Sequence, residues 1–212
     1  MFSDEDSGQG SGANIQSWFT MRNTFQGNGG HGIYIDHGPD AATSYLDFRA
    51  FCNLIVDNDG SGVCARHLDG DAGGQLNLTA NTIAGNASYG VQVASSDDAA
   101  RLSVVQNNIV WGNTYGSSVG WDPGDATTFT NNDWNGLFTE SSCDPDGDEN
   151  VDVDPSFENA ANGDYHLGSG SCLIDKGANA PDGESGTNFE FDFEGNRRII
   201  NGQADIGADE MS

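Results

Sequence analysis

Positive charge is almost missing from this chain. Lys176 is its one lysine, and with the arginines it makes 7 basic residues against 33 acidic ones, a net charge of -26 over 212 residues. Such a balance excludes nucleic acid and anionic membrane surfaces as partners. Long apolar runs are missing too, so no segment can insert in a bilayer as a spanning helix. No window shows a sustained helical period, which excludes a helical bundle. The 4 cysteines form no Cys-x-x-Cys pair, which argues against a zinc site of that kind.

What the chain does have is aspartate, which supplies most of its acid. Calcium held by clustered aspartates, a saline habitat, and solubility alone each account for that. The length is enough to bury a large core, in one elongated domain with a terminal cap.

A short phrase recurs: Asn, any residue, an apolar residue, a second Asn, then Gly-apolar-x-apolar. It reads Asn23-Thr24-Phe25, Asn28, Gly32-Ile33-Tyr34-Ile35. It returns as Asn53-Leu54-Ile55, Asn58, Gly62-Val63-Cys64-Ala65 and as Asn81-Thr82-Ile83, Asn86, Gly90-Val91-Gln92-Val93. A degraded copy starts at Asn107 and a trace at Asn132. A period of about 25 to 30 residues is the signature of a solenoid. Each repeat holds three short alternating pieces bounded by Asn and Gly, which read as strand, turn, strand. The predicted fold is therefore all-β: a right-handed parallel β-helix, a single-stranded solenoid of about five coils stacked about 4.8 Å apart. An Asn at the same corner of every coil can bond its copies above and below, and it tolerates the left-handed backbone of a corner.

The expected organisation is a flexible lead-in over 1–14, coils over 15–136, and an irregular closing region over 137–212. No amphipathic helix covers the first coil, so the chain reads either as the C-terminal piece of a longer protein or as one with an unusual cap. The predicted inward residues are Phe19, Met21, Phe25, Ile33, Ile35, Phe48, Ile55, Val63, Ala65, Leu76, Leu78, Ile83, Val91, Val93, Leu102, Val104, Ile109 and Phe129. Asp205-Ile206-Gly207-Ala208 alternates like a strand and is expected to close the last coil. Arg197 and Arg198 are expected to pair with Asp192, Asp205 or Glu210.

The stack of inward residues resembles the cores of pectate-lyase-like β-helices. The last third carries Asp154-Pro155-x-Phe157, Gly163-Asp164-Tyr165-His166-Leu167 and Gly170-Ser171-Cys172-x-Ile174-Asp175-x-Gly177. Asp192-x-x-Gly195-Asn196-Arg197-Arg198 and Asp205-Ile206-Gly207-Ala208-x-Glu210 follow. These pieces resemble the tail of bacterial β-helix surface proteins of the choice-of-anchor Q group. With the coils, the resemblance covers nearly the whole chain. It implies an exported protein, extracellular or on the bacterial cell surface, and it implies no particular chemistry. An even cysteine count in an exported chain suggests disulfides. Cys143–Cys172 is the expected pair, since both follow serine in the irregular region, while Cys52 and Cys64 are either bonded or small core residues.

Function in such a fold sits on the strand after the glycine and on the variable loop beyond it. Aligning the repeats puts Tyr34, Cys64 and Gln92 in one outward column, Asp36, Arg66 and Ala94 in the next, and His37, His67 and Ser95 after that. Asp36, His37, Arg66 and His67 are the candidate catalytic set, able to move protons on a sugar. Tyr34, Gln92, Asp40, Asp69 and Asp71 are the candidate carbohydrate contacts. Gly30-His31-Gly32-Ile33-Tyr34-Ile35 is similar to a polygalacturonase stretch, but that family's Arg-x-Lys is replaced here by Arg66-His67-Leu68. Asp144, Asp146, Asp148, Asn150 and Asp152 put oxygens at every second position around Gly147, which resembles the calcium loops of EF-hand-like and thrombospondin-type repeats. Calcium is thus the expected cofactor, and a polysaccharide or cell-surface glycan is the expected partner of a monomer. The leading functional expectation is a glycan-binding, adhesin-like protein without catalysis. A polysaccharide lyase or glycoside hydrolase, and a structural stalk, are the alternatives.

Overall fold

A computed structural model describes residues 14–36, 44–66, 74–94, 101–117, 128–136, 150–179 and 189–211. The strands follow in triplets. Asn14–Met21 (β1), Thr24–Gln26 (β2) and Ile33–Asp36 (β3) are repeated by Ser44–Phe51 (β4), Leu54–Val56 (β5) and Val63–Arg66 (β6). Next come Gly74–Thr79 (β7), Thr82–Ala84 (β8) and Tyr89–Ala94 (β9), then Arg101–Gln106 (β10), Ile109–Trp111 (β11) and Tyr115–Ser117 (β12). Thr128–Thr130 (β13) and Asp133–Trp134 (β14) continue the series.

Each strand pairs in parallel with its counterpart one repeat away. The first sheet runs β1-β4-β7-β10-β13, the second β2-β5-β8-β11-β14, and the third β3-β6-β9-β12. Phe25, Ile55, Ile83 and Val110 fall in line, as do Ile33, Val63 and Val91. These residues meet between the sheets in one core with Phe48, Leu76, Leu78 and Trp134. An all-β chain with long parallel sheets is consistent with the predicted solenoid.

Two asparagine ladders run along the stack. Asn53 donates its backbone N–H and its side-chain amide to Asn81 Oδ1, each at 3.0 Å, and Asn81 does the same to Asn108 Oδ1. Asn108 to Asn132 and Asn132 to Asn150 repeat the pattern. The second ladder joins Asn28, Asn58, Asn86 and Asn113. The other amide hydrogen reaches back to a carbonyl of the preceding coil, as Asn81 does to Ala50 at 2.9 Å and Asn86 to Ile55 at 3.0 Å. Both donors of a rung amide are thereby used, and its oxygen accepts twice, which is what a buried amide requires.

The ladder corrects the predicted register in three places. Its fourth rung is Asn108, not Asn107. The pairing of β7 with β10 shifts between Leu102 and Val104, an irregularity of the β-bulge kind. One extra residue moves each later side chain to the opposite face. Val105 and Val110 therefore enter the main core where Val104 and Ile109 were expected. In β1, Trp18 is the residue aligned with Phe48, and Phe19 is left 49% exposed. The ladder also runs one rung past Gly136, because Asn150 bonds Asn132 and Val151 bonds the backbone of β14.

The left-handed corner belongs to the residue before the rung rather than to the rung itself. Arg22, Cys52, Ala80, Asn107 and Asn131 all have φ between 48° and 60°. A second row, Gly27, Asp57, Gly85 and Gly112, has φ from 56° to 65° just before the other ladder. Each corner is thus one left-handed residue followed by one asparagine.

Beyond Val153, Phe157–Asn159 (β15) and Asp164–Leu167 (β16) form an antiparallel hairpin. The hairpin and the segments after it lie along the outer face of the second sheet. Tyr165 covers Val56 and Ala84 and donates to Asp57 at 2.7 Å. Phe189 and Ala204 cover Cys52 and Ala80, and Ile206, Leu173 and Val151 cover Ile109. Ala178 exchanges two hydrogen bonds with the Asn107 side chain, and Ala208 N–H donates to Thr82 Oγ1 at 3.0 Å. Residues 205–208, expected to close the last coil, therefore lie against the side of the stack. Arg198 is fully buried but makes no carboxylate pair among the described residues. It donates to the carbonyls of Asp205 and Asp209 at 2.6 and 3.0 Å, and its guanidinium lies over the Phe189 ring. Arg197 is exposed. No helix among the described residues is long and apolar enough to cross a membrane.

Removing one interior rung orphans donors on the coil before it, so Asn81→Ala should lose about 3 kcal/mol in urea unfolding, and Asn28→Ala at the exposed end less than about 1 kcal/mol. Asp133 supplies the second stability test. It is fully buried, accepts from Val153 N–H at 3.0 Å through one oxygen, and has no partner for the other. Burial pushes its pKa up to about 8. The native state therefore keeps a proton that the unfolded chain releases above its ordinary pKa near 3.8, and stability falls as pH rises between those values. Asp133→Asn should match wild type near pH 4 and exceed it by roughly 1–4 kcal/mol near pH 8, read from urea midpoints.

Candidate functional site

The outer face of the third sheet carries the described part of the candidate site. Along β3, β6 and β9 the buried residues Ile33, Ile35, Val63, Ala65, Val91 and Val93 point inward. The intervening positions form columns, with Tyr34, Cys64 and Gln92 in register, and then Asp36, Arg66 and Ala94. The spacing of the repeats predicts both columns. The glycine that opens each phrase is there for close approach: a Cβ on Gly62 would lie 2.4 Å from Ile83 Cγ2 and 2.8 Å from the Gly90 carbonyl. That contact turns the chain from the second sheet into the third.

Carrying the register back across the glycine lines up His31, Ser61 and Tyr89, and Tyr89 pairs with Tyr115. The Tyr89 and Tyr115 rings are 4.9 Å apart, and Tyr115 is 56% exposed. His31 stacks on Tyr34 at 5.6 Å with an interplanar angle of 13°. Tyr34 donates its hydroxyl to Asp36 at 3.0 Å, and the Arg66 side chain hydrogen-bonds Tyr34. Ser61 donates to Gln92 Oε1 at 2.8 Å. The result is a strip with the His31–Tyr34 stack at its β3 end, the Tyr89–Tyr115 pair at its β9–β12 end, and Asp36, Arg66 and Gln92 beside them on β3, β6 and β9. Cys64 is buried within it, and burial raises its thiol pKa, so it is an inert free cysteine.

His31 Nδ1 accepts from Ser61 N–H at 2.9 Å, which leaves the proton on Nε2. Burial first, and the Arg66 charge second, lower its pKa. His31, Tyr89 and Tyr115 were not among the expected site residues. Their signal was available, since each immediately precedes the glycine of the phrase.

Of the expected catalytic set, the structure brings Asp36 and Arg66 side by side, while His37 and His67 lie outside the described residues. So do the carbohydrate candidates Asp40, Asp69 and Asp71, and the calcium candidates Asp144, Asp146 and Asp148. Asn150 is the last rung among the described residues, its oxygen accepting from the backbone N–H and the side-chain amide of Asn132. Asp152 accepts from Asn135 at 3.1 Å and from Gly136 N–H at 2.8 Å. Cys172 is disulfide-bonded, and Cys143 lies outside the described residues. Cys52 carries a free, buried thiol beneath Phe189.

No protein-family model matches this chain, and no curated protein or solved structure matches it.

The environment of His31 makes a measurable demand. Its imidazole should titrate below 6.5 by NMR, with the proton on Nε2 in the neutral form. Arg66→Ala should move the pKa only part of the way back, because burial is the larger cause.

Proposed function

We propose that this chain is an exported right-handed parallel β-helix of the pectate-lyase-like kind, with a choice-of-anchor Q type C-terminal region, and that it binds glycan without transforming it. One observation carries the binding reading. The third sheet carries the His31–Tyr34 stack at its β3 end and the Tyr89–Tyr115 pair at its β9–β12 end, with Gln92, Asp36 and Arg66 beside them. Aromatic faces pack on the apolar faces of sugar rings, and fixed polar groups choose among hydroxyls. The strip is built on strands whose other face is locked in the core, so its groups are held before a ligand arrives. An extended chain of sugars suits such a strip better than a single small molecule, because successive rings meet successive coils.

The test is a glycan array that includes polyuronates, followed by affinity measurements and product analysis on the hits. Binding without turnover is expected, and Tyr115→Ala and Tyr34→Ala should each weaken it about tenfold or more. Product that forms with wild type and disappears in Asp36→Asn or Arg66→Ala would replace this reading with a lyase or hydrolase. Binding that survives both tyrosine substitutions unchanged would move the site off this face.

A further inference from the structure

On the outer side of the second sheet, away from the aromatic strip, three separate pieces of the C-terminal region converge on one imidazole. His166 stands on β16, Glu194 in the turn after Phe191, and Asp209 near the end of the chain. His166 Nε2 lies 3.3 Å from Glu194 Oε1 and 3.8 Å from Asp209 Oδ2. The three ligand atoms all fall within 4.8 Å of one another. Ligands at about 2.0–2.2 Å from a tetrahedral ion are separated from each other by about 3.3–3.6 Å; the Glu194 gap matches this and the Asp209 gap is slightly longer. Both gaps are longer than a good hydrogen bond.

The imidazole is also oriented. Its Nδ1 is 2.6 Å from Asp164 Oδ1. With Nδ1–H given to that carboxylate, Nε2 turns its lone pair toward Glu194 and Asp209. A carboxylate behind a histidine is the usual outer support of a metal-bound imidazole.

A second, independent observation points to a missing cation. Asp192 is fully buried, and its Oδ2 has no hydrogen-bond partner. Asp209 Oδ1 is likewise shielded and without a partner. Phe193 N–H donates to the Ala208 carbonyl at 2.8 Å, so the segment that carries Asp192 and Glu194 runs beside the one that carries Asp209. Buried carboxylate oxygens without partners are costly unless a positive charge answers them.

We propose that His166, Glu194 and Asp209 bind a divalent transition-metal ion of the zinc type, which clips the β15–β16 hairpin to the terminal segment. One imidazole with two carboxylates suits such an ion, whereas calcium takes six to eight oxygens. The site is separate from the glycan strip.

Calorimetric titration of the full chain with zinc chloride near pH 8, with calcium present throughout, tests the assignment. One zinc equivalent should bind and raise the melting temperature. Asp164→Asn should weaken binding roughly 10- to 100-fold through loss of orientation. His166→Ala and Glu194→Gln should each abolish the high-affinity site. Glu194 is half exposed, so its variant decides the matter if His166→Ala fails to fold. Absence of zinc uptake, or full-strength uptake in either of these two variants, overturns the proposal.

Discussion

A side-chain amide buried between coils has two donors and an oxygen to satisfy, and this constraint organises the molecule. The asparagine at each rung meets it by bonding forward to the next rung and backward to a carbonyl of the previous coil. Both bonds exist only if the same corner recurs at the same height, so a coil of the wrong path would strand several polar groups at once. Loop length is free to vary as long as the chain returns to the corner in register. The strand alternation, the glycine approach to the neighbouring coil, and the common core all follow from that return.

The same stack gives its faces different roles. The second sheet is narrow, with a left-handed residue at each edge, and its outer side is covered by the hairpin and the terminal segments. The third sheet keeps its outer side for tyrosine, glutamine, aspartate and arginine. A rigid interior that repeats from coil to coil leaves the outward positions available for a binding surface, and the described residues of the closing region pack on the second sheet instead.

The recurrent phrase made most of this legible. The columns Tyr34–Cys64–Gln92 and Asp36–Arg66 could be written from spacing alone, because each strand pairs in parallel with its counterpart one repeat on. Errors arose where two adjacent residues could each play one part. Trp18 and Phe19 are both large and apolar, and Asn107 and Asn108 are both asparagine, so composition could not decide which faced in. A bulge near Leu102 then reversed the parity. The rung at Asn150 was hidden because an acidic run, rather than an apolar strand, precedes it. The path of the tail was not legible, since packing on the side of the stack depends on shape contacts such as Phe189 on Cys52 and Ala80 that carry no period. Arg198 looked like a salt-bridge partner because charge is visible in a sequence and carbonyl geometry is not.

The covering segment has a mechanical consequence. Arrays of repeats in which each coil touches only its neighbours come apart from the ends, one unit at a time. Here one stretch of chain touches the corner residues of five successive repeats: Phe191 at Arg22, Phe189 at Cys52 and Ala80, Ala178 at Asn107, and the Lys176 carbonyl at Asn131. It acts as a splint laid across the grain of the stacked parallel sheets. Coils that never meet are joined through it, and fraying of an outer coil is coupled to the integrity of the inner ones.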